Sequence, residues 1–467
     1  MESPFRFLIL SICLLYSCQV TQDKPATPEG IWQSVGYGRI LQIEHASYAH
    51  YDVTEISCLP IDKGHPTDFE ETLSLSNDTL AISDGISMYY YTQLDELPPL
   101  CSSNNHGAND PIHNFEVYTK TYEEHYEYFQ LNKINWDSLY SAYRTKVSAG
   151  TSDAELYLLL EDLLKELKDN HGSIEPTDEV YAAADQQSNR VEEAENEREY
   201  GDFEIAQLVA DHYLDDEQTE DSWLIKWGRM ENNIGYIQVK AMFLYADIVV
   251  PDSLIEEKGY VGAYFEELGK WSEAEQVALE INGVGSIMDR VMRDLENTES
   301  IILDVRFNGG GKDEVGLEIM RHFNAVQRLV ASKKARHKGG YTRKTPVYLD
   351  AHPNPYTKPV YLLTSQQSAS ATEIMAMSAM QLAHVKRIGS HTNGALSDAL
   401  PKRLPNGWHF TLSNEIYTNQ ENVIYENEGI PVDIDLNYPA DRQSFFRQVA
   451  NDLEQDKQVV LSTISRF

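Results

Sequence analysis

Residues 359–373 read PVYLLTSQQSASATE. Pro359 to Thr364 is an apolar run bounded by turn formers, the pattern of a buried strand. Small polar residues follow. From Ala371 to Leu382 an apolar-rich amphipathic pattern predicts a helix. A strand that passes through small residues straight into a helix is the unit of an α/β layer. It sets Ser370 at a helix N-terminus, where free backbone N–H groups and the positive dipole end can hold an oxyanion. The same residues also have a plainer meaning, because Ser370 and Glu373 show the S-x-x-E spacing of a capping box.

Upstream, Ile301 to Val305 is a second buried strand, running into Asp304-Val305-Arg306-Phe307-Asn308-Gly309-Gly310-Gly311. Consecutive glycines let a backbone approach a ligand closely and offer N–H donors. A phosphate loop would need Ser or Thr after its Lys, and Lys312 is followed by Asp313. Around these two stretches lie a strand at Ile234 to Val239 and helices at Val284 to Leu295, Val315 to Phe323 and Arg442 to Leu453. Residues 223–467 are read as one α/β core.

Residues 106–174 change period. Phe115, Tyr118, Tyr122, Tyr126 and Phe129 recur at helical spacing, as do Leu156, Leu160, Leu163 and Leu167. Ser152 and Glu155 have capping-box spacing, and Gly172 reads as the stop of a helix that carries His171 in its last turn. Residues 175–222 are acidic, with EEAENERE at 192–199 and DDEQTED at 215–221, and read as an exposed insertion. Residues 30–105 alternate in short runs separated by turn signals, a small antiparallel β domain. Residues 18–29 form a polar tether.

Residues 1–17 give the address. Phe5 to Tyr16 is apolar behind Arg6, too short to span a bilayer and right for a secretory h-region. It ends in Leu15-Tyr16-Ser17-Cys18, a loose bacterial lipobox in which Cys18 would be acylated. The alternative is a plain signal peptide. The expected location is outside a bacterial cell's cytoplasm, as a lipoprotein facing the periplasm or cell surface, with the membrane met only through lipid. Cys58 and Cys101 remain as a disulfide or as two separate thiols.

The chain has 467 residues, 42% hydrophobic and 24% charged, which is globular composition. Its 38 Lys+Arg against 74 Asp+Glu leave a net charge of −36, which disfavours a nucleic-acid partner. His45 and His50 are five apart with Ala46 between, so they miss the zincin pattern. No zinc-ligand spacing occurs, and neither a metal nor another cofactor is expected. The oligomeric state is left open.

Taken jointly, the Asp169-Asn170-His171 turn, the Asp304 to Gly311 stretch, the Ser368-Ala369-Ser370-Ala371-Thr372-Glu373 stretch and the late loop Glu426-Asn427-Glu428-Gly429-Ile430-Pro431-Val432-Asp433 occur in order. In this the chain resembles the tricorn-like and carboxy-terminal processing serine peptidases over residues 111–172 and 223–440. The resemblance implies an α+β fold with a crotonase-like (Clp-protease/crotonase-type) core, a helical segment and, from the pattern above, the small N-terminal β domain. It implies a peptide or protein substrate and Ser370 as nucleophile. The processing branch uses a Lys 25 residues after its Ser, but Ala395 stands there, and Lys386 and Lys402 are out of register. The tricorn branch takes its base from the D-x-H region, here His171, and Glu426 matches that branch's acidic residue, expected to orient groups or bind the substrate amine. A Ser precedes the His in that branch; here it is Asn170. Gly310 and Ala371 are the expected oxyanion donors, with Gly309 or Gly311 as substitutes for Gly310.

No carboxylate-binding loop of a PDZ domain is found between 173 and 300. The basic run Lys333 to Lys338, with Arg343 and Lys344, reads as a solvated loop or as a binder of a substrate carboxylate or of the acidic insertion. The competing function is a catalytically inactive ligand- or peptide-binding protein on the same fold, as the interphotoreceptor retinoid-binding proteins illustrate. An esterase using the same apparatus is a third.

Overall fold

The computed structural model describes residues 28–65, 72–76, 79–102, 107–187 and 198–466. The expected signal segment with Cys13 and Cys18, most of the tether and most of the 192–199 acidic run lie outside these.

The N-terminal unit is an antiparallel sheet of seven strands: β1 (Gly30–Ser34), β2 (Arg39–Glu44), β3 (Ser47–Val53), β4 (Cys58–Gly64), β5 (Leu73–Ser76), β6 (Thr79–Asp84) and β7 (Ser87–Leu94). Their order is β4-β3-β2-β1-β7-β6-β5. Trp32, Leu41, Ile43, Leu80 and Tyr91 fill its apolar face. Cys58 and Cys101 are joined, so the turn after β7 is tied to β4. By chain-entropy reasoning a loop of this size is worth about 4 kcal/mol.

Three helices follow: α1 (Pro111–His125), α2 (Trp136–Arg144) and α3 (Asp153–Leu167). The Tyr118, Tyr122 and Tyr126 face is fully buried against Phe410 and the leucines of α3. The Ser152–Glu155 capping box forms as expected. The helix stop differs. Lys168 takes the left-handed conformation (φ 53°, ψ 42°) and ends α3. His171 therefore sits in a turn beyond the helix, not in its last turn, and Gly172 is not the stop.

That turn enters β8 (Ser173–Glu175), and α4 (Asp178–Gln187) and α5 (Asp202–Tyr213) come next. The reading of 175–222 as an exposed insertion fails for α5. Its Ile205, Ala206, Val209, Ala210 and Tyr213 are buried in the core, an apolar stripe masked in the sequence by the acidic residues beside it.

The central sheet uses β9 (Asp216–Glu217), β10 (Ile225–Met230), β11 (Ile234–Val239) and, beyond α6 (Asp252–Leu268) and α7 (Glu273–Leu295), β12 (Ser300–Asp304). Then come α8 (Asp313–Arg321), β13 (Arg328–His337), β14 (Gly340–Tyr341), β15 (Thr345–Leu349), β16 (Val360–Thr364), α9 (Ala371–Ala379) and β17 (Val385–Gly389). The chain closes with β18 (Ala399–Arg403), β19 (His409–Ser413), β20 (Glu415–Thr418), β21 (Ile434–Asp435), α10 (Arg442–Asn451) and α11 (Leu453–Ile464). The order β21-β17-β16-β12-β11-β10-β9 is parallel from β21 through β11. Every residue of β16 is buried, as a parallel strand covered on both faces requires. This is the α+β core expected from the sequence. β12 and β16 are neighbours in register, so the two motif-bearing stretches leave the sheet side by side.

Two smaller sheets complete the frame. β13 pairs with β14, β15 and β20, and β19 pairs with both β18 and β8. The second pairing matters most here. It carries the turn before β8, with His171, onto the catalytic half of the chain.

The basic run is strand β13 rather than a loop. Lys333 is buried and donates to Ser87 Oγ (2.6 Å), Asp398 Oδ2 (2.5 Å) and Glu415 Oε2 (3.2 Å). Arg336 donates to the carbonyls of Glu123 and Tyr126, and Lys334 lies over the Tyr341 ring. These cations hold the β domain, α1 and the core together, so most of the run is not free to bind a substrate carboxylate.

Candidate active site

Two turns are sewn together below the site. Ser365 Oγ donates to the Arg306 carbonyl (2.6 Å) and Ser368 Oγ to that of Val305 (2.8 Å). The Ala369 N–H reaches the Asn308 carbonyl, and Thr372 Oγ1 reaches both Asn308 oxygens. Arg306 and Asp304, prominent in the sequence motif, form a fully buried ion pair extended to Asp456. Their place is structural, beneath the site.

Ser370 stands at φ 55°, ψ −124°. A non-glycine residue held there costs of order 1–3 kcal/mol and persists only where its surroundings over-determine it. Here they do. Its N–H donates to the Ala395 carbonyl (3.1 Å) and to Glu373 Oε2 (3.2 Å). Ser370 makes no side-chain cap hydrogen bond, and its link to Glu373 runs through the backbone N–H. Gly310, at φ 108°, is packed so closely that a Cβ on it would lie 2.7 Å from Ser370 Cβ and 3.1 Å from the Ala371 nitrogen.

The two expected oxyanion donors fare differently. Ala371 opens α9, so its N–H has no intrahelical acceptor. The Gly310 N–H, by contrast, donates to Asn308 Oδ1 (2.9 Å). Its use as a donor is corrected on that ground. At Gly311, Gly310 O and Lys312 N both bond to Met242, so the intervening N–H of Gly311 points away from Met242.

Glu373, which the sequence presents only as a cap, is a buried hub. Its Oε1 accepts from Thr392 Oγ1 (2.6 Å) and the Gly394 N–H (2.7 Å), and its Oε2 from the N–H groups of Ala395 (2.7 Å) and Ser370. Burial pushes its pKa up to about 7, against the pull of those donors. It fastens the Ser370 turn to the 392–397 loop. That loop presents Ala395 where the related branch has its Lys. Lys402 is buried elsewhere, donating to Asp52 and to the carbonyls of Tyr37 and Gly38, and Lys386 lies on β17.

Glu426 is buried on the far side of this loop. Its Oε2 accepts from the N–H groups of Leu396 (2.9 Å) and Ser397 (3.0 Å). Burial, with Glu373 and Asp169 nearby, raises its pKa to about 8. A buried carboxyl already occupied by backbone suits the expectation of orienting groups. It does not suit the expectation of capturing a substrate amine.

His171 approaches from the helical segment. Asp169 Oδ1 accepts from the His171 N–H (3.1 Å) and Ser413 Oγ (2.6 Å), while Thr411 Oγ1 donates to the His171 carbonyl (2.5 Å). Asn170 Nδ2 donates to the Gly394 carbonyl (3.0 Å), one residue from the Ala395 carbonyl that holds Ser370. The base candidate and the nucleophile candidate thus hang from adjacent carbonyls of one loop. The imidazole Nδ1 is buried without a hydrogen-bond partner among the described residues. Burial lowers the ring's pKa, opposed by Asp169 and Asp398. Asn170 and Glu373 are the positioning residues that sequence reasoning undervalued. Asn170 departs from the related pattern, and Glu373 carried a sufficient local meaning as a cap.

The Peptidase family S41 model matches residues 233–436, and that of the Tricorn protease C1 domain matches residues 108–165. No curated protein sequence matches the chain. Among solved structures, a candidate peptidase from Parabacteroides merdae is 20% identical, with a TM-score of 0.52, over 74% of this chain and 96% of its own. Mature CPAF is 11% identical, with a TM-score of 0.52, over 77% of this chain and 98% of its own. These two likenesses concern the fold. The S41 match covers both motif-bearing stretches and the Tricorn C1 match the helical segment before them, in the order that the motifs and the sheet require, and the chain is a serine-type peptidase similar to the tricorn-like and carboxy-terminal processing enzymes.

Proposed function

We propose that this peptidase uses Ser370 as nucleophile and His171 as general base. Ser370 Oγ attacks a peptide carbonyl while His171 takes its proton, then returns it to the leaving amine. Water reverses the sequence to free the acyl group. The N–H groups of Ala371 and Gly311 receive the oxyanion, each worth roughly 3–4 kcal/mol of barrier. Glu426 acts through the 394–397 loop and keeps the Ala395 carbonyl on Ser370. A lysine base has no support, since Ala395 occupies its place.

The observation that carries this reading is the conformation of Ser370, strained, uncapped and pressed against Gly310. An inactive binding protein has no need to maintain that strain. A fluorophosphonate probe tests it. The probe should label one residue, Ser370, and labelling and peptide-library cleavage should both vanish in Ser370→Ala. Cleavage that survives in Ser370→Ala would refute the assignment.

The enzyme is further proposed to be exported and held by lipid on Cys18. The Cys58–Cys101 disulfide supports an oxidising compartment. Among the described residues no helix is long and apolar enough to cross a membrane. A radioactive fatty acid should label the wild type and not Cys18→Ala; equal labelling of both would exclude the anchor.

A further inference from the structure

Away from the catalytic turn, three side chains that lie 30 and 33 residues apart in sequence converge. Asp289 lies on α7, His322 caps the C-terminal end of α8, and His352 lies in the loop after β15. We propose that Asp289, His322 and His352 form a binding site for one divalent transition-metal ion of the Zn²⁺ or Co²⁺ type.

Distances support this first. His322 Nε2 and His352 Nε2 lie 3.4 and 3.5 Å from the same oxygen, Asp289 Oδ1. All three donor atoms fall within 4.8 Å of one another. Donors bound tetrahedrally at about 2.0–2.1 Å from zinc are themselves about 3.3 Å apart. The same spacing is too long for a charge-assisted hydrogen bond, which closes to about 2.7–2.9 Å. The groups are near enough to share a cation, and their direct contacts with Asp289 are long.

The protonation pattern supports it second. His322 is fully buried, and its Nδ1 lies 3.0 Å from the Glu318 carbonyl. A carbonyl only accepts, so Nδ1 carries the hydrogen and Nε2 turns a lone pair toward the Asp289 carboxylate. A lone pair on a buried ring, facing a carboxylate, leaves a place for a cation between them. The Nδ1–H to carbonyl contact is also the outer bond that orients metal-bound histidines. At His352 the Asn354 N–H points to Nδ1 at 3.2 Å. Coordination through Nε2 moves the ring hydrogen to Nδ1 and gives up this one long bond, which weakens binding. Asp289 is half-exposed and opens the site to solvent.

The ion would tie α7, the end of α8 and the 350–356 loop together. It lies one helix, about 13 Å, from the glycine turn at the other end of α8, so the role is structural and the test is binding. Purified protein stripped with EDTA is titrated with Co²⁺ by visible absorption and with Zn²⁺ by calorimetry. One equivalent of each is expected, with the d–d bands of imidazole-ligated Co²⁺. Asp289→Asn and His352→Ala, both at accessible positions, should each weaken binding at least about tenfold. His212→Ala, an exposed histidine elsewhere, should leave it unchanged. Zn²⁺ should raise the melting temperature of the wild type and not that of the Asp289→Asn/His352→Ala double variant. Absence of saturable binding, or binding that persists unchanged in the double variant, would overturn the site.

Discussion

Ser370 and His171 are held by opposite strategies. Ser370 is fixed by groups within a few residues of two adjacent strand ends: Gly310 against its Cβ, and Glu373, three residues on, at its N–H. His171 hangs from a turn beyond α3, placed by Asp169 on Ser413, Thr411 on its own carbonyl and Asn170 on Gly394, contacts that span more than 200 residues of chain. Ser370, the proposed nucleophile, is pre-set largely by local backbone. His171, the proposed base, is placed by the docking of the helical segment. Damage to the first half should therefore be severe and rigid in character. Damage to the second should be graded.

The comparison can be broken most forcefully at Gly310. A methyl group there meets Ser370 Cβ and the Ala369 carbonyl at 2.7 Å, so Gly310→Ala should cost about 10²–10³ in kcat through a displaced oxyanion site. A loss below tenfold in steady-state peptide cleavage would show that the turn is not rigid. Next is Glu373→Gln, which turns an amide NH₂ toward one of the donor pairs that the carboxylate accepts. A stability loss of about 3 kcal/mol or more is expected in urea unfolding, with activity lost in step. Asn170→Ala, on the base side, should lower kcat by only about tenfold with KM nearly unchanged, since it removes two hydrogen bonds and no reacting group.

The last effect is electrostatic and is read as a slope with pH. Glu426 rises from 4.5 to about 8 on folding, so between those values the folded chain binds a proton that the unfolded chain does not. Its contribution to stability is full below pH 4.5 and is lost as pH rises through 8, at up to about 1.4 kcal/mol per pH unit. Glu426→Gln should flatten this part of the melting-temperature profile between pH 5 and 8. An unchanged slope would assign it to the other raised carboxyls, Glu373 and Glu415.

The same contrast explains what the sequence made legible. Strand-to-turn signals at 301–311 and 359–373 are local, and they located the sheet and the adjoining Ser370 and glycine turns. The Leu156 to Leu167 periodicity gave α3, but its end depended on Lys168 adopting a left-handed conformation that its side chain does not advertise. The buried face of α5 was hidden by flanking acids, and β13 looked like a basic loop because its partners, Asp398, Glu415 and Ser87, are distant in sequence. The engagement of the Gly310 N–H by Asn308 is a matter of a single rotamer, beyond any pattern of residue types. The grouping of Asp289 with His322 and His352 has no spacing signature at all, since three separate elements supply it.

The central claim is that His171 removes the Ser370 proton, and the rate of fluorophosphonate acylation as a function of pH tests it without knowledge of the natural substrate. A base must be neutral to act, and burial holds this imidazole below its ordinary 6.5. The acidic limb of the rate should have its midpoint below pH 6.5. That limb should disappear in His171→Ala, whose slow residual rate added imidazole should partly restore. An acylation rate and pH profile unaltered by His171→Ala would contradict the account.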